Sequence, residues 1–361
     1  MPELPEVETI ACGLRPQLTG RRIVSVAVRN EGTVQGDAAV FSHCVPGRVI
    51  AGVGRRGKLL LLELVPLDGP GGPDAPDATG GGAGGPDAAG PAGAAVDAPS
   101  DVPPDAADLM TCRDAAGKMA GSSATGAAGA SDNTDNTDNT GNTVSTGSAG
   151  GNRVPHLLGV HLKMTGRLFV YGPEVAPNTH TRVIFGLDDG NRLFFDDARK
   201  FGYVRALSEA DLATWDFWRS LGPEPLEIAA PDFAALFRGR RGRIKALLLD
   251  QTVIAGIGNI YADESLFRAS IRPDAQAGEL SPDRLRVLHG HLVDVLRESI
   301  AECGSSIRDY RDAHGDAGAF QNRFRVYGRS GQPCVACGRT LTTGKVGGRT
   351  TVFCERCQKL K

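Results

Sequence analysis

Two groups of residues have types and spacings that can do chemistry, and they sit at opposite ends of the chain. At the start, Met1-Pro2-Glu3-Leu4-Pro5-Glu6 places a secondary amine beside a carboxylate once Met1 is removed. An α-amino group titrates near pH ~7.7 to 8.0, so much of it is neutral and nucleophilic under cellular conditions. Glu3 is then placed to move protons for whatever the amine attacks. The same residues also read as a plain helix start, since Pro5 suits a first turn and Glu6 and Glu8 complement the positive end of the helix dipole. Taken alone they favour that plainer reading, and the rest of the chain reverses it. At the far end, Cys334-x2-Cys337 and Cys354-x2-Cys357, sixteen residues apart, have the spacing of a four-thiolate zinc site. Four thiolates close the coordination shell, so one Zn2+ here is structural, and its binding would fold the roughly forty residues around it.

Four further stretches could serve a polyanion. Arg55-Arg56-Gly57-Lys58 puts three cations in one bend, and Lys58 is the one placed for a backbone phosphate. His161-Leu-Lys-Met164-Thr-Gly166 and Asp197-Ala-Arg199-Lys200-Phe201-Gly202 each set an apolar tip among cations, which is what a wedge into a base stack needs. Met164 or Phe201 alone would more often be core. Gly256-Ile-Gly258-Asn259 before a helix leaves N–H groups open to a phosphate, although Gly-x-Gly before a helix is common.

The elements that must hold these residues follow from periodicity. Val7, Ile10, Leu14 and Leu18 repeat at helical spacing behind the terminus. Residues 21–29, 48–53, 58–65, 167–171, 181–187, 192–196 and 203–207 read as short strands separated by tight turns, a β-sandwich or barrel. From Ser208 onward the pattern is helical, over residues 211–221, 231–237, 243–249, 259–270 and 282–302, with Gly222-Pro223-Glu224-Pro225 as a linker. The fold class expected is α+β and multidomain: a β-sandwich with flanking helices over 1–221, a helical domain over 222–312, and a C-terminal segment with the zinc finger over 313–361.

Residues 66–154 are of different material, rich in Gly, Ala, Pro, Asp, Asn, Ser and Thr, and are expected to be a disordered low-complexity insertion between neighbouring strands. They hold twelve Asp and only Arg113, Lys118 and Arg153 as bases, a net of −9. The remainder therefore has 37 Lys+Arg against 30 Asp+Glu, about +7, although the whole chain is formally −2. The scattered Cys12, Cys44, Cys112 and Cys303 read as buried or free thiols of a reducing compartment. No run of ~18 apolar residues and no apolar signal segment is present, so a soluble, unexported protein is expected.

In their order, MPELPEVE, HLKMTGRL, DDARKFG, GIGNIYADE, AGAFQNRFRVYGR and the four cysteines resemble the bacterial formamidopyrimidine-DNA glycosylases over all but residues 66–154. Leu4 favours this branch over the sister family for oxidised pyrimidines, whose start resembles MPEGPE. The resemblance implies a β-sandwich, a helix-two-turn-helix module and a zinc finger. It implies a bifunctional enzyme that excises oxidised purines from damaged double-stranded DNA and then cleaves the strand. Pro2 matches the nucleophile, Glu3 the proton-transferring carboxylate, and Lys58 a lysine touching DNA near the lesion. Met164, Arg199 and Phe201 match the residues that fill the gap left by the flipped nucleotide. Lys245, Asn259, Tyr261 and Arg349 match phosphate-gripping positions, with Glu6 and Glu264 in the same region, and residues 311–322 match the loop over the everted base. A bacterial, cytoplasmic, nucleoid-associated monomer is implied. Two alternatives stay open: an oxidised-pyrimidine glycosylase, or a non-catalytic zinc-containing DNA binder.

Overall fold

The computed structural model describes residues 1–67, 154–307 and 310–359. The tract 68–153, and with it the expectation of disorder and the thiol of Cys112, lies outside the described residues.

Helix α1 (Leu4–Leu18) begins where Glu6 Oε2 accepts the Glu3 N–H at 2.8 Å, so the third helical residue reaches back to its own cap. Strands β1 (Ile23–Val28), β2 (Val49–Arg56), β3 (Leu59–Val65), β4 (Leu157–His161), β5 (Gly166–Tyr171), β6 (Thr181–Leu187), β7 (Arg192–Asp197) and β8 (Tyr203–Leu207) follow. They form two antiparallel four-stranded sheets, ordered β1-β6-β7-β5 and β2-β3-β4-β8. Their facing sides interlock Ile50, Leu60, Leu62, Leu158, Val183, Phe185 and Phe195 with Val7, Ile10, Leu14 and Leu18 of α1, the sandwich that the strand spacing predicts. A short helix α2 (Ala38–Cys44), capped by the Asp37 carboxylate, was not expected from the sequence. Glu63 pairs with Leu157 and the Leu64 N–H reaches the His156 carbonyl at 2.8 Å. Strands on either side of the low-complexity tract are therefore direct neighbours.

The expected helix over 211–221 is two short ones, α3 (Glu209–Thr214) and α4 (Asp216–Ser220), broken where Trp215 takes extended backbone and buries its ring beside Phe217. Helices α5 (Ala230–Ala235), α6 (Ile244–Leu249), α7 (Asn259–Arg268) and α8 (Pro282–Ala301) build a second core around Phe233, Phe237, Leu266, Leu288 and Leu292. Strands β9 (Thr342–Val346) and β10 (Arg349–Phe353) make the finger hairpin, whose apolar side meets Phe267 and Val326. Of the scattered cysteines, Cys44 and Cys303 are free thiols, whereas Cys12 is in a disulfide and departs from expectation. No helix among the described residues is long and apolar enough to cross a membrane.

Candidate active site

Helix α1 belongs to two cores at once. Val7, Ile10, Leu14 and Leu18 pack in the sandwich, but Leu4 packs among the helices with Ile257 and Ile260. The terminus is thereby laid into the glycine loop before α7. Leu4 N–H donates to the Gly256 carbonyl at 3.0 Å, and Ile260 N–H donates to Glu3 Oε1 at 3.2 Å. Of the N–H groups expected to meet a phosphate, that of Ile260 is thus turned toward a carboxylate of the same chain, which suits the positive end of α7 equally well, and that of Gly256 donates to Gln251 Oε1 at 2.9 Å. Gly256 has φ +81°, and a Cβ there would lie 2.7 Å from Leu4 Cδ1. A Cβ on Gly258 would lie 2.2 Å from Glu3 Cδ. Both glycines are needed for the close approach of the terminus.

Glu3 is 5% exposed, and burial raises its pKa from 4.5 to about 7 against the opposing pull of Lys58. Its Oε2 is buried without a hydrogen-bond partner among the described residues. One carboxylate oxygen is held by the helix and the other is left for a proton or a ligand. Lys58 is also buried, its Nζ donating to the Ile257 carbonyl at 2.7 Å, and desolvation lowers its pKa. Pro2 is buried beside Glu3 beneath the exposed Met1, and removing that methionine converts its nitrogen from an amide to an amine.

The neighbouring cations are not equivalent. Arg55 is spent on Glu8 at 2.7 Å and on linker residue Glu224, whose other oxygen takes the Gly57 N–H. Arg56 lies over the Trp218 ring. The bend read as three available cations therefore offers only Lys58 to the site, since two carboxylates distant in sequence claim Arg55.

The two wedge loops come together. Asp197, 1% exposed, accepts from Thr165 Oγ1, from Arg199 N–H at 3.2 Å and from Gly202 N–H at 2.7 Å, so it bolts one loop to the other. Arg199 then touches Met164 Sδ at 2.9 Å and lies 4.7 Å from the Phe201 ring centroid. Met164 and Phe201 are 44% and 54% exposed. Two apolar tips beside one guanidinium, on loops fixed by a buried carboxylate, make a rigid projection. Exposed His180 stands against the same loop, its carbonyl taking the Asp197 N–H at 2.9 Å.

Other expected phosphate contacts are placed differently. Tyr261 is fully buried, with its hydroxyl bonded to Glu6 and to Ser299 Oγ, so it cannot reach a backbone. Lys245 is fully buried as well, paired with Asp263 at 2.7 Å and bonded to Thr351 Oγ1 at 2.6 Å. Asn259 Nδ2 donates to the Thr350 carbonyl at 3.0 Å. Lys245 and Asn259 thus anchor β10 and leave Arg349, at its exposed start, as the cation facing outward. Glu264 does not line this surface; its carboxylate takes the N–H groups of Arg325, Val326 and Tyr327 and clamps the approach to the finger. Residues 311–322 pack on α1 through Ala313, and Asp312 folds them by accepting the His314 and Asp316 N–H groups.

The sulfurs of Cys334, Cys337, Cys354 and Cys357 lie within 4.8 Å of one another, with Cys334–Cys357 at 3.9 Å and Cys337–Cys354 at 3.5 Å. A tetrahedron with Zn–S of ~2.3 Å has edges near ~3.8 Å, so the donor set fits a structural zinc ion.

Comparison with known proteins decides the family. Models described as the formamidopyrimidine-DNA glycosylase N-terminal domain, the formamidopyrimidine-DNA glycosylase H2TH domain and a zinc finger found in FPG and IleRS match residues 1–74 with 137–204, 221–311 and 331–360. The chain is 56% identical to the formamidopyrimidine-DNA glycosylase of Nitratidesulfovibrio vulgaris over 99% of this chain and 100% of that one. It belongs to the formamidopyrimidine-DNA glycosylase family. The family enzyme of Desulfitobacterium hafniense is 32% identical over 99% of this chain and 100% of its own. A solved complex of a Lactococcus lactis FPG mutant with a Fapy-dG containing DNA superposes with a TM-score of 0.70 at 25% identity, covering 99% of this chain and 100% of that one.

Proposed function

We propose that the chain excises oxidised purines, 8-oxoguanine and formamidopyrimidines, from damaged duplex DNA and then cleaves the strand, with Pro2 as nucleophile. The observation that carries this is the carboxyl of Glu3, held beside Pro2 with one oxygen free and its pKa raised to about 7. At that value it can give a proton and take one back near neutral pH.

The free Pro2 amine attacks C1′ as the bond from C1′ to the base nitrogen breaks. The departing base takes a proton relayed from Glu3; the proton that the Pro2 nitrogen then sheds passes through the Glu3 carboxylate to O4′ as the C1′–O4′ bond breaks, and the opened sugar is held as an iminium. The iminium acidifies C2′, whose proton leaves to a basic group while the C3′–O bond breaks and releases the 3′ phosphate. A second elimination releases the 5′ phosphate, and water frees the enzyme. Lys58 stabilises the phosphate side of these steps, and Arg349 meets the backbone from the finger. Met164, Arg199 and Phe201 fill the gap of the everted nucleotide and offset part of the few kcal/mol that flipping costs. Lys245, Asn259 and Tyr261 act from behind, by positioning β10 and Glu6. Domain bounds of 1–221, 222–312 and 313–361, a monomer working on the bacterial chromosome, and release of Met1 complete the reading.

Leu4 supports purines over oxidised pyrimidines by the resemblance already described. Borohydride trapping on duplexes bearing 8-oxoguanine or an oxidised pyrimidine tests both. A covalent complex on the purine duplex, lost in Pro2→Gly, is expected. Trapping only on the pyrimidine duplex would move the chain to the sister activity, and no trapping on either would leave a DNA binder.

A further inference from the structure

Lys163 stands immediately before the Met164 tip and has φ +48°, the left-handed region where a side chain is strained and glycine is not. The turn does not depend on that side chain. Gly166 N–H closes it on the Leu162 carbonyl at 2.9 Å, and Lys163 N–H meets His161 Nδ1 at 3.1 Å, bonds that a glycine would make equally well. A lysine is therefore kept at some cost to the backbone. Its half-buried ammonium lies 5.7 Å from the centroid of Tyr203, with no ion pair or hydrogen bond to an acid among the described residues.

That ammonium stands over the Tyr203 ring, which packs on His161 at 5.4 Å, and His161 pairs across the sheet with Leu59, the neighbour of Lys58. Burial lowers the pKa of His161, and the charges of Lys163 and Lys58 lower it further. Lys58, depressed first by burial, is lowered again by Arg349 and Lys163. Three cations from different elements, Lys58 in the β2–β3 hairpin, Lys163 in the β4–β5 turn and Arg349 on the finger, thus share one region. Glu3 and Glu6 act on Lys58, but both carboxylates are buried. Like charges gathered in one region, Lys58 buried, Lys163 half-buried and Arg349 exposed, are unfavourable until an anion arrives.

We propose that Lys163 is a phosphate-binding residue, and that with Lys58 and Arg349 it seats the phosphodiester flanking the everted nucleotide while Met164 enters the gap. The inference rests on the glycosylase reading and names a further contact of that site. The adjacency of cation and tip couples the two events: the phosphate drawn to Lys163 brings the strand onto Met164.

The full-length protein is titrated with a duplex carrying a tetrahydrofuran abasic analogue across a range of salt concentrations. Lys163→Met removes the charge and keeps the strained backbone, Lys163→Gly removes both, and Lys163→Arg keeps the charge. Loss of one phosphate contact reduces the salt slope by about 0.9, equivalent to about eightfold weaker binding at 0.1 M salt relative to a 1 M reference. Lys163→Met and Lys163→Gly should both show that loss, Lys163→Arg should retain the wild-type slope, and Lys163→Gly should melt no lower than wild type. Unchanged slopes in both neutral variants, or a loss in Lys163→Gly alone, would overturn the proposal. If the wild-type protein does not prefer the abasic duplex over undamaged DNA, the glycosylase reading fails first and independently of Lys163.

Discussion

Gly258→Ala should separate catalysis from folding more cleanly than any change to Pro2 or Glu3. Gly258 has φ −133° and ψ −162°, extended backbone that alanine also adopts, so no backbone strain is introduced. The whole effect is steric. The new Cβ would stand 2.2 Å from Glu3 Cδ and 2.3 Å from Oε1. To restore ordinary contact the carboxyl must retreat by about 1.2 Å, and a misplacement near that size can cost on the order of 10²-fold in rate. The retreat also breaks the 3.2 Å bond from Ile260 N–H, leaving a buried donor whose loss costs about 1 to 3 kcal/mol. Because the colliding atoms are the end of one side chain near a terminus, the fold can absorb the change. Single-turnover base release from an 8-oxoguanine duplex should fall about a hundredfold, while affinity for an abasic-analogue duplex stays near wild type. Base release within threefold of wild type would refute the idea that the glycine cradle positions Glu3.

Glu3→Gln tests the buried charge itself. The native carboxyl titrates at about 7 against 4.5 for an unperturbed one, so between those values the folded state holds a proton that the unfolded state has released. Stability therefore declines as pH rises through that window. Glu3→Gln should melt higher than wild type at pH 8, by up to about 3 kcal/mol, with no difference below pH 4.5; equal melting at pH 8 would contradict the assignment. Tyr261→Phe leaves the buried Glu6 carboxylate one donor short, and chemical denaturation should show a loss of about 1 to 3 kcal/mol. Cys334→Ser or strong chelation should abolish zinc content and duplex affinity together, and tight lesion-specific binding by metal-free protein would contradict this. Joining Val65 to His156 by a short Gly-Asn turn should leave a folded, active enzyme because β3 and β4 already pair up to that point; an insoluble product would show otherwise.

Features written locally could be read from the sequence. Strand alternation gave the sandwich, the cysteine spacing gave the zinc site, and the two loops with apolar tips among cations present those tips exposed and gathered at Arg199. What could not be read was which partner each polar side chain would choose. Arg55, one of three cations in the bend before β3, is held by Glu224, 169 residues away, and no local pattern announces that pairing. Tyr261 and Lys245 lie on helices whose inward faces are set by packing, and a motif does not say which face that is. The glycine loop was read as offering open N–H groups to a phosphate, but the Gly256 N–H goes to Gln251 Oε1 and the Ile260 N–H to Glu3, 257 residues away in sequence.

That long-range pairing explains why the terminus can serve as a catalyst at all. A chain end normally frays, since few contacts offset its conformational freedom. Here residues of α1 that follow Glu3 are held by different cores: Leu4 by the helical one, Val7 and Ile10 by the sandwich. Glu6 then ties the arrangement to a third segment, accepting from the Tyr261 hydroxyl in α7 and from the Ser305 N–H at 2.9 Å just before the loop of residues 311–322. Movement of any one of the three displaces Pro2 and Glu3 relative to the others. The nucleophile proposed at the chain end would thus inherit its precision from the junction of the sandwich and helical cores. For the same reason, substitutions at Leu4, Gly256 or Glu6 should impair chemistry as strongly as they impair stability, although none of these residues need touch the DNA.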